Sequence, residues 1–411
     1  MPPRKRRRTC GVTAPQPATL PADLLLEIVG RTDAATLVRC AAACRLLRRE
    51  ILSPAFSRRV RGSPDGGVLL GFLCPEGTTF SLLHPATPAA ASLAENHLAP
   101  FMSRSAADLL EEYQPITSRG GLVVLERPEI DWDRRSLDGE RPPDMCVWNP
   151  MTGDRTFLPF PPDVGPDDHL CGVYTYVLLT GAADGIGCPF LLGPVSSDAG
   201  GSSRCIKVRT VSSDAGGSWG PAMTHAGDPG MPPGVLSIGD NGCDGDAVVI
   251  RGVVHWLMGG YVLTYDVGTV AVGMIEFPSD WHLKLHLGST PDGDLSLFYA
   301  LYGFTIFYWV MSPGGGWQLR AEVDTLPTLQ SLTGPWEEED DEEEFIITYD
   351  SRVEVESVGD QRSSVVLLRL RNLFFVLEVE TAEIRRDDRD DSYGVVYTVD
   401  LSSRLSAMKM F

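Results

Sequence analysis

The chain has no long apolar run. Its longest uncharged apolar stretch, residues 297–311, holds fifteen residues rich in aromatics. That is too short to cross a bilayer as a helix, and it reads as two buried strands joined near Gly303. No apolar segment follows the basic head at residues 4–8, so no secretory signal is expected. The nine cysteines are scattered and form no C-x-x-C pair. An odd, dispersed set argues against a disulfide framework and for a reducing compartment, the nucleus or the cytoplasm. Cys40 and Cys44 stand at helical i,i+4 spacing, where thiols act as small hydrophobes.

Net positive charge is lacking too. Against 35 Lys and Arg stand 55 Asp and Glu, for a formal charge of −20 and a pI near 4.7. Such a body repels nucleic-acid phosphates and anionic lipid, so neither nucleic acid nor membrane is expected as a partner.

The motifs of chemistry are missing as well. There is no G-x-S-x-G, no phosphate-binding Walker loop and no dinucleotide G-x-G-x-x-G. No catalytic residue and no cofactor is therefore expected. His282 and His286 in "HLKLH" have metal-ligand spacing, but no Glu follows His282 and the segment alternates like a strand. They read as structural or surface histidines. "DNGCDGD" at 240–246 hints at a calcium loop, yet Gly242 takes its third position and Arg251 its twelfth, where a bidentate Glu belongs. It reads as a turn, and no metal site is expected.

What the sequence does hold is turns. With Gly 42 and Pro 31, short strands are favoured over long helices. Residues 1–19 are basic, then rich in Pro, Thr and Ala, and read as disordered. Within them Arg4, Lys5, Arg6, Arg7 and Arg8 form a candidate nuclear-import signal.

From Leu20 the period turns helical. Leu20, Leu24 and Ile28 share one face, Pro21 and Asp23 suit a first turn, and Asp33 suits an N-cap. Leu37, Ala41 and Cys44 line a second helix, and Pro54 stops the run that follows. A block of about 40 residues lies near or below the size that folds alone. Leu20, Leu24, Leu25, Ile28, Leu37 and Ile51 supply its apolar area. Burying six such side chains contributes on the order of 10 kcal/mol before costs. The block therefore reads as a surface awaiting a partner.

Beyond residue 67 the pattern is strands and turns. Expected strands are 68–73, 79–83, 121–125, 146–148, 173–179, 205–211, 247–257 and 261–265. Further ones are 283–287, 295–310, 345–349, 364–370, 374–379 and 394–399, and one helix is possible within 90–112. "VWNPMTGDRTFLPFP" at Val147, "TYDVGTVAVGMIEFP" at Thr264 and "VLEVETAEIRRDD" at Val376 share one layout. An apolar strand meets Asn, Asp or Glu, a Thr follows three residues on, and the strand resumes. Such an echo is what a repeated strand–turn–strand unit leaves behind. "SSDAGGS" recurs at Ser196 and Ser212, as similar loop tips or as a tandem duplication. Trp148, Trp219, Trp256, Trp309 and Trp317 sit at strand ends or turns and read as core residues. The acidic run at 337–344 reads as a solvated loop.

"LPADLLLEIVGR…DAATLVRCAAACRLLRREILSPAF" resembles an F-box. Leu20, Pro21, Asp23, Leu24, Leu25 and Ile28 match the family's first helix, and Leu37, Cys44, Arg45, Ile51, Pro54 and Phe56 match the later part. Two positions depart from it: the leucine before the second helix is replaced around Thr32, and the aromatic after Cys44-Arg45 by Leu46-Leu47. "GVVHWL" at Gly252, "LTYDVGT" at Leu263, "VWNPMTGDRTFLPFPP" and "IKVRTVSSDAGGSW" at Ile206 resemble the C-terminal domains of plant, grass-type F-box proteins.

The resemblance implies a mainly β chain: a three-helix F-box over 20–60, then a large all-β, kelch-like propeller over 61–411. Six to eight blades of about 40–50 residues would fill that length, with an irregular pair of β-sandwiches as the alternative. It also implies a non-catalytic role as substrate receptor of a Skp1–cullin–F-box ubiquitin ligase. Leu20, Pro21, Leu24, Leu25, Ile28, Leu37, Cys44 and Ile51 would bind a Skp1-type adaptor and through it a cullin, while the β domain holds a protein target. The alternative is a scaffold whose degenerate F-box no longer recruits the ligase.

Overall fold

In the computed structural model the chain divides into two compact units, Met1–Gly67 with Lys409–Phe411, and Val68–Met408. The structure describes residues 22–29, 40–41, 43–53, 56, 70–73, 80–83, 99–127, 144–159, 161, 174–181, 188, 190–197, 205–221, 223–226, 247–258, 261–277, 285–290, 292–301, 304–334, 353–358, 365–387 and 395–398.

The first unit holds helix α1 (Ala22–Val29) lying against helix α2 (Arg45–Ile51). Val29, Ala41, Ile51 and Phe56 form its interior. At the end of α2, Leu52 N–H bonds back to Arg48 O at 3.0 Å, and Phe56 N–H donates to Ser53 Oγ at 3.2 Å, so the chain turns off the helix.

The second unit is built of short antiparallel strands. Each blade is a run of consecutive strands, because tight turns join neighbours and antiparallel pairing follows. The first blade contains β3 (Gln114–Arg119), β4 (Leu122–Glu126), β5 (Met145–Trp148) and β6 (Arg155–Leu158). Ahead of it stand β1 (Leu70–Leu73), β2 (Phe80–Leu83) and helix α3 (Ala99–Leu110).

The second blade holds β7 (Tyr174–Thr180), β8 (Phe190–Ser197), β9 (Cys205–Val208), β10 (Val211–Ser212) and β11 (Met223–Ala226). The third holds β12 (Ala247–Ile250), β13 (Val253–Met258), β14 (Tyr261–Asp266) and β15 (Ala271–Glu276). The fourth holds β16 (Leu285–Ser289), β17 (Leu295–Leu301), β18 (Thr305–Met311) and β19 (Trp317–Asp324), followed by helix α4 (Leu326–Thr333). The fifth holds β20 (Val353–Val358), β21 (Val365–Leu370), β22 (Leu373–Glu378) and β23 (Glu383–Asp387).

The last strand, β24 (Val395–Thr398), pairs with β1 in a three-stranded sheet ordered β2-β1-β24. First strands follow one another round a ring: β3 meets β7, β7 meets β12, β12 meets β16, β16 meets β20, and β20 and β3 both meet β24. This is a propeller of five blades, closed by a smaller sheet that draws on both ends of the unit. With that closing sheet the ring holds six sheets, the lower bound of the expected six to eight units, and the paired sandwiches do not occur among the described residues.

Apolar side chains fill the spaces between successive sheets. Val124, Val147 and Leu158 of the first blade pack with Leu178 and Leu192 of the second. Trp256 and Leu263 of the third meet Val177 and Val208 of the second. Leu257 and Val262 meet Leu287 and Tyr299, and Phe298 and Ile306 meet Val366 and Phe375.

Several turns repeat. The β3–β4 and β12–β13 hairpins use Gly120-Gly121 and Arg251-Gly252, each pair at positive φ, which suits the twist of a two-residue hairpin. The three echoed segments are the hairpins joining third and fourth strands in the first, third and fifth blades. Asn149 Oδ1 accepts from Met151 and Thr152 N–H at 2.9 and 3.2 Å, and Asp266 Oδ1 from Gly268 and Thr269 N–H at 2.8 Å each. The residue after the shared Thr is left-handed in all three: Gly153 at φ 82°, Val270 at φ 61° and Ala382 at φ 55°.

Two strand expectations change. Residues 247–257 are a hairpin, not one strand, because Arg251-Gly252 turns the chain. The strand over 205–211 breaks into β9 and β10, which pair in succession along the same edge of β8. The interruption carries Arg209 O so close to Gly193 that a Cβ there would lie 2.4 Å from it. The strand expected at 345–349 lies outside the described residues. Five further strands, β3, β8, β11, β19 and β20, and helix α4 were not expected from the apolar runs.

Candidate functional site: the open face of the helical unit and the ends of the ring

Helix α1 places Leu24 and Ile28 four residues apart, on one side. Both are open to solvent, at 48% and 51% exposure, and Leu46 on α2 is open at 46%. Leu25 and Cys44 are half-buried, and Ile51 is buried. Ile51 thus supports the unit from within, while Leu24 and Ile28 are the sequence-derived candidates that reach its surface. Leu20, Pro21 and Leu37 lie outside the described residues, as do Arg4, Lys5, Arg6, Arg7 and Arg8. Leu46 was legible only as a departure from an aromatic, and its exposure adds a third apolar side chain. Three large apolar groups are thus open to solvent on two short helices.

In the propeller, antiparallel alternation sorts the connections by face. Turns joining first to second and third to fourth strands leave one end of the ring, and the remaining connections leave the other. Connections at the first end include the short turns already described. At the second end the chain runs from Glu126 to Met145, from Leu158 to Tyr174, from Ala226 to Ala247 and from Asp324 to Val353. The acidic run at 337–344 lies outside the described residues. Long connections on a rigid scaffold are where binding residues concentrate.

The tryptophans divide into two roles. Trp148 on β5 and Trp256 on β13 are buried. Trp219 and Trp317 each follow a glycine-containing turn and clip neighbouring blades together. Trp219 Nε1–H donates to Pro159 O, just past β6, and Trp317 Nε1–H to Glu276 O at the end of β15, both at 2.8 Å. The repeated "SSDAGGS" contributes here through its second copy, where Ser212 Oγ accepts from Asp214 N–H at 3.2 Å. Most of the first copy lies outside the described residues.

Helix α3 is tied to the first blade by a two-pronged ion pair. Arg155 Nη1 and Nη2 donate to Asp108 Oδ2 and Oδ1, each at 2.8 Å. The guanidinium holds the Asp108 carboxyl below its ordinary range. On its other side α3 buries Met102, Ala106, Leu109 and Leu110, spaced as one helical face.

Titratable groups inside the blades are few. His286 is buried in β16, and His282 lies outside the described residues, as does 240–246. Burial lowers the pKa of His255 on β13, against smaller raising contributions from the Val248 and Val253 backbone. Burial pushes the Cys146 thiol up to about 12. Among the described residues no three His, Cys, Asp or Glu side chains are grouped to hold a metal ion. None of the described helices is long and apolar enough to cross a membrane.

A ring of antiparallel blades defines a β-propeller protein, a fold that suits protein interaction. Residues 82–411 match the family described as Domain of unknown function (DUF7595), and the chain belongs to that family. No curated protein matches the chain.

Among solved structures, a chain of the mitotic checkpoint complex is similar at 10% identity and a TM-score of 0.32, with 66% of this chain and 61% of that one covered. An alpha-L-arabinanase from Penicillium chrysogenum, complexed with arabinobiose, is similar at 13% identity and a TM-score of 0.32, over 67% of this chain and 79% of that one. The extracellular domain of a one component system from B. thetaiotaomicron is similar at 10% identity and a TM-score of 0.30, over 67% of this chain and 29% of that one. This chain therefore spans less than two thirds of the first and third of these chains.

Proposed function

We propose that the protein is the substrate-receptor subunit of a Skp1–cullin–F-box ubiquitin ligase. In this reading the helical unit binds a Skp1-type adaptor, and through it a cullin, while the propeller holds a protein target. The observation that carries it is the solvent-open trio Leu24, Ile28 and Leu46 on a small unit whose sequence resembles an F-box. The protein contributes proximity and no bond-making step: tethering the target raises its effective concentration beside the ligase. Work in the nucleus, the cytoplasm or both fits the cysteine usage and the basic residues 4–8.

A second reading, a scaffold that has lost its ligase, draws on the replacement of the F-box aromatic by Leu46-Leu47. Affinity purification under proteasome inhibition separates the two, comparing the intact chain with one lacking residues 1–60. The ligase reading expects adaptor and cullin with the intact chain only, and targets that are ubiquitinated only there. Adaptor and cullin absent from both would leave the scaffold.

A further inference from the structure

The charge of the chain is unevenly placed. Residues 1–67 carry thirteen Lys and Arg against five Asp and Glu, in a chain whose net charge is −20. Of these, helix α2, RLLRREI, holds Arg45, Arg48 and Arg49 against a single Glu50. Arg45 and Arg49 are exposed and stand four residues apart, on one side of the helix, with exposed Leu46 adjoining Arg45.

Arg49, in the last turn, suits the helix dipole, but Arg45 does not serve its own helix. Arg45 opens α2, where the helix dipole disfavours a cation, and no acidic residue occupies the first turn. Cys44 before it supplies no side-chain cap. Like charges four apart on a helix repel. Arg49 is partly balanced by Glu50, at 2.9 Å, yet its side chain remains 75% exposed. On α1, Glu27 is also exposed. An exposed cation kept at a locally unfavourable helix start, beside an open leucine and with a second exposed arginine four residues on, points to a contact outside the chain.

We propose that the partner docking on Leu24, Ile28 and Leu46 presents an apolar face bordered by carboxylates, which meet Arg45 and Arg49. This rests on the ligase reading and names the chemistry of the adaptor's docking face. The acidic balance of the rest of the chain repels such a partner, while the helical unit attracts it. The charges therefore direct the encounter to the helical unit and act mainly on its rate.

The test uses the full-length chain and a purified Skp1-type adaptor, following association kinetics at low and high salt. Arg45→Glu with Arg49→Glu is compared with wild type and with Arg45→Lys plus Arg49→Lys, after circular dichroism has shown all three folded. The proposal expects the charge reversal to slow association about tenfold at low salt, with the gap closing at high salt and the lysine variant unaffected. Equal rates and equal salt dependence in all three would overturn the charge proposal and leave the ligase reading standing. Failure of the wild-type chain to bind the adaptor would overturn both.

Discussion

The phenolic hydroxyl of Tyr397 donates a hydrogen bond of 3.2 Å to the carbonyl oxygen of Gly121, across 276 positions of sequence. Tyr397 is fully buried on β24, the last strand, and Gly121 sits in the first tight turn of the first blade. On the same turn Gly120 faces Thr180, the end of the second blade's first strand. One two-residue turn thus touches the closing sheet and the second blade together.

Ring closure should therefore be sensitive to a single oxygen. Tyr397→Phe keeps the ring and removes the donor, at a cost of about 0.5–1.5 kcal/mol. Urea unfolding is expected to show that loss, and amide exchange in β1 and β24 to quicken more than exchange in β13. Unchanged unfolding and exchange would mean that closure depends on the β1–β24 pairing alone.

Two glycines are expected to resist substitution for different reasons. Gly120 has φ 56°, and a Cβ there would lie 2.6 Å from Thr180 Oγ1. Gly120→Ala incurs left-handed strain of about 1–2 kcal/mol besides the contact, and Thr180→Ala should recover the contact part. Gly193 has no such torsion, but its Cβ would strike the Arg209 carbonyl at 2.4 Å. Backbone cannot rotate aside as a side chain can, so no single side-chain change should rescue Gly193→Ala. Thermal unfolding of the two alanine variants, with and without Thr180→Ala, reads out the difference.

How far the sequence discloses this fold follows from burial. Strands such as β5, Met145–Trp148, are apolar throughout and legible as runs. The rim strand β19, WQLRAEVD, is mostly open to solvent and carries no such run. β3 contains Pro115, which argues locally against a strand, and its pairing with β4 shifts register beside that proline. The repeated Asn/Asp/Glu–Thr turn recovers β6, β15 and β23 where hydrophobicity does not. Contacts such as Trp317 to Glu276, 41 positions apart, have no local signature at all. For the helical unit, the F-box pattern supplies a set of apolar positions but does not divide them. Placing Ile51 inside and Leu46 outside requires the packing of α1 on α2.

His255 sets the expected response to acid. Its pKa is lowered by burial from an ordinary value near 6.5, so the folded protein holds it neutral. The unfolded chain then binds the extra proton as pH drops below that ordinary value. Stability from this group is complete above pH 6.5 and declines as pH falls toward its lower folded pKa. Chemical unfolding between pH 8 and pH 5 (about one and a half pH units either side of the reference value) should show the decline. His255→Phe should flatten it, and an equal slope in wild type and variant would assign the decline to other groups.

The central claim concerns Leu24 and Ile28. The most direct measurement is the affinity of the full-length chain for a purified Skp1-type adaptor, with and without Leu24→Asp plus Ile28→Asp. Both residues are exposed, so the variant should remain folded, which circular dichroism and an unaltered propeller melting transition would verify. Seating two carboxylates in an apolar contact costs several kcal/mol, so binding should weaken by at least about a hundredfold. Equal affinity for wild type and double variant would contradict the account.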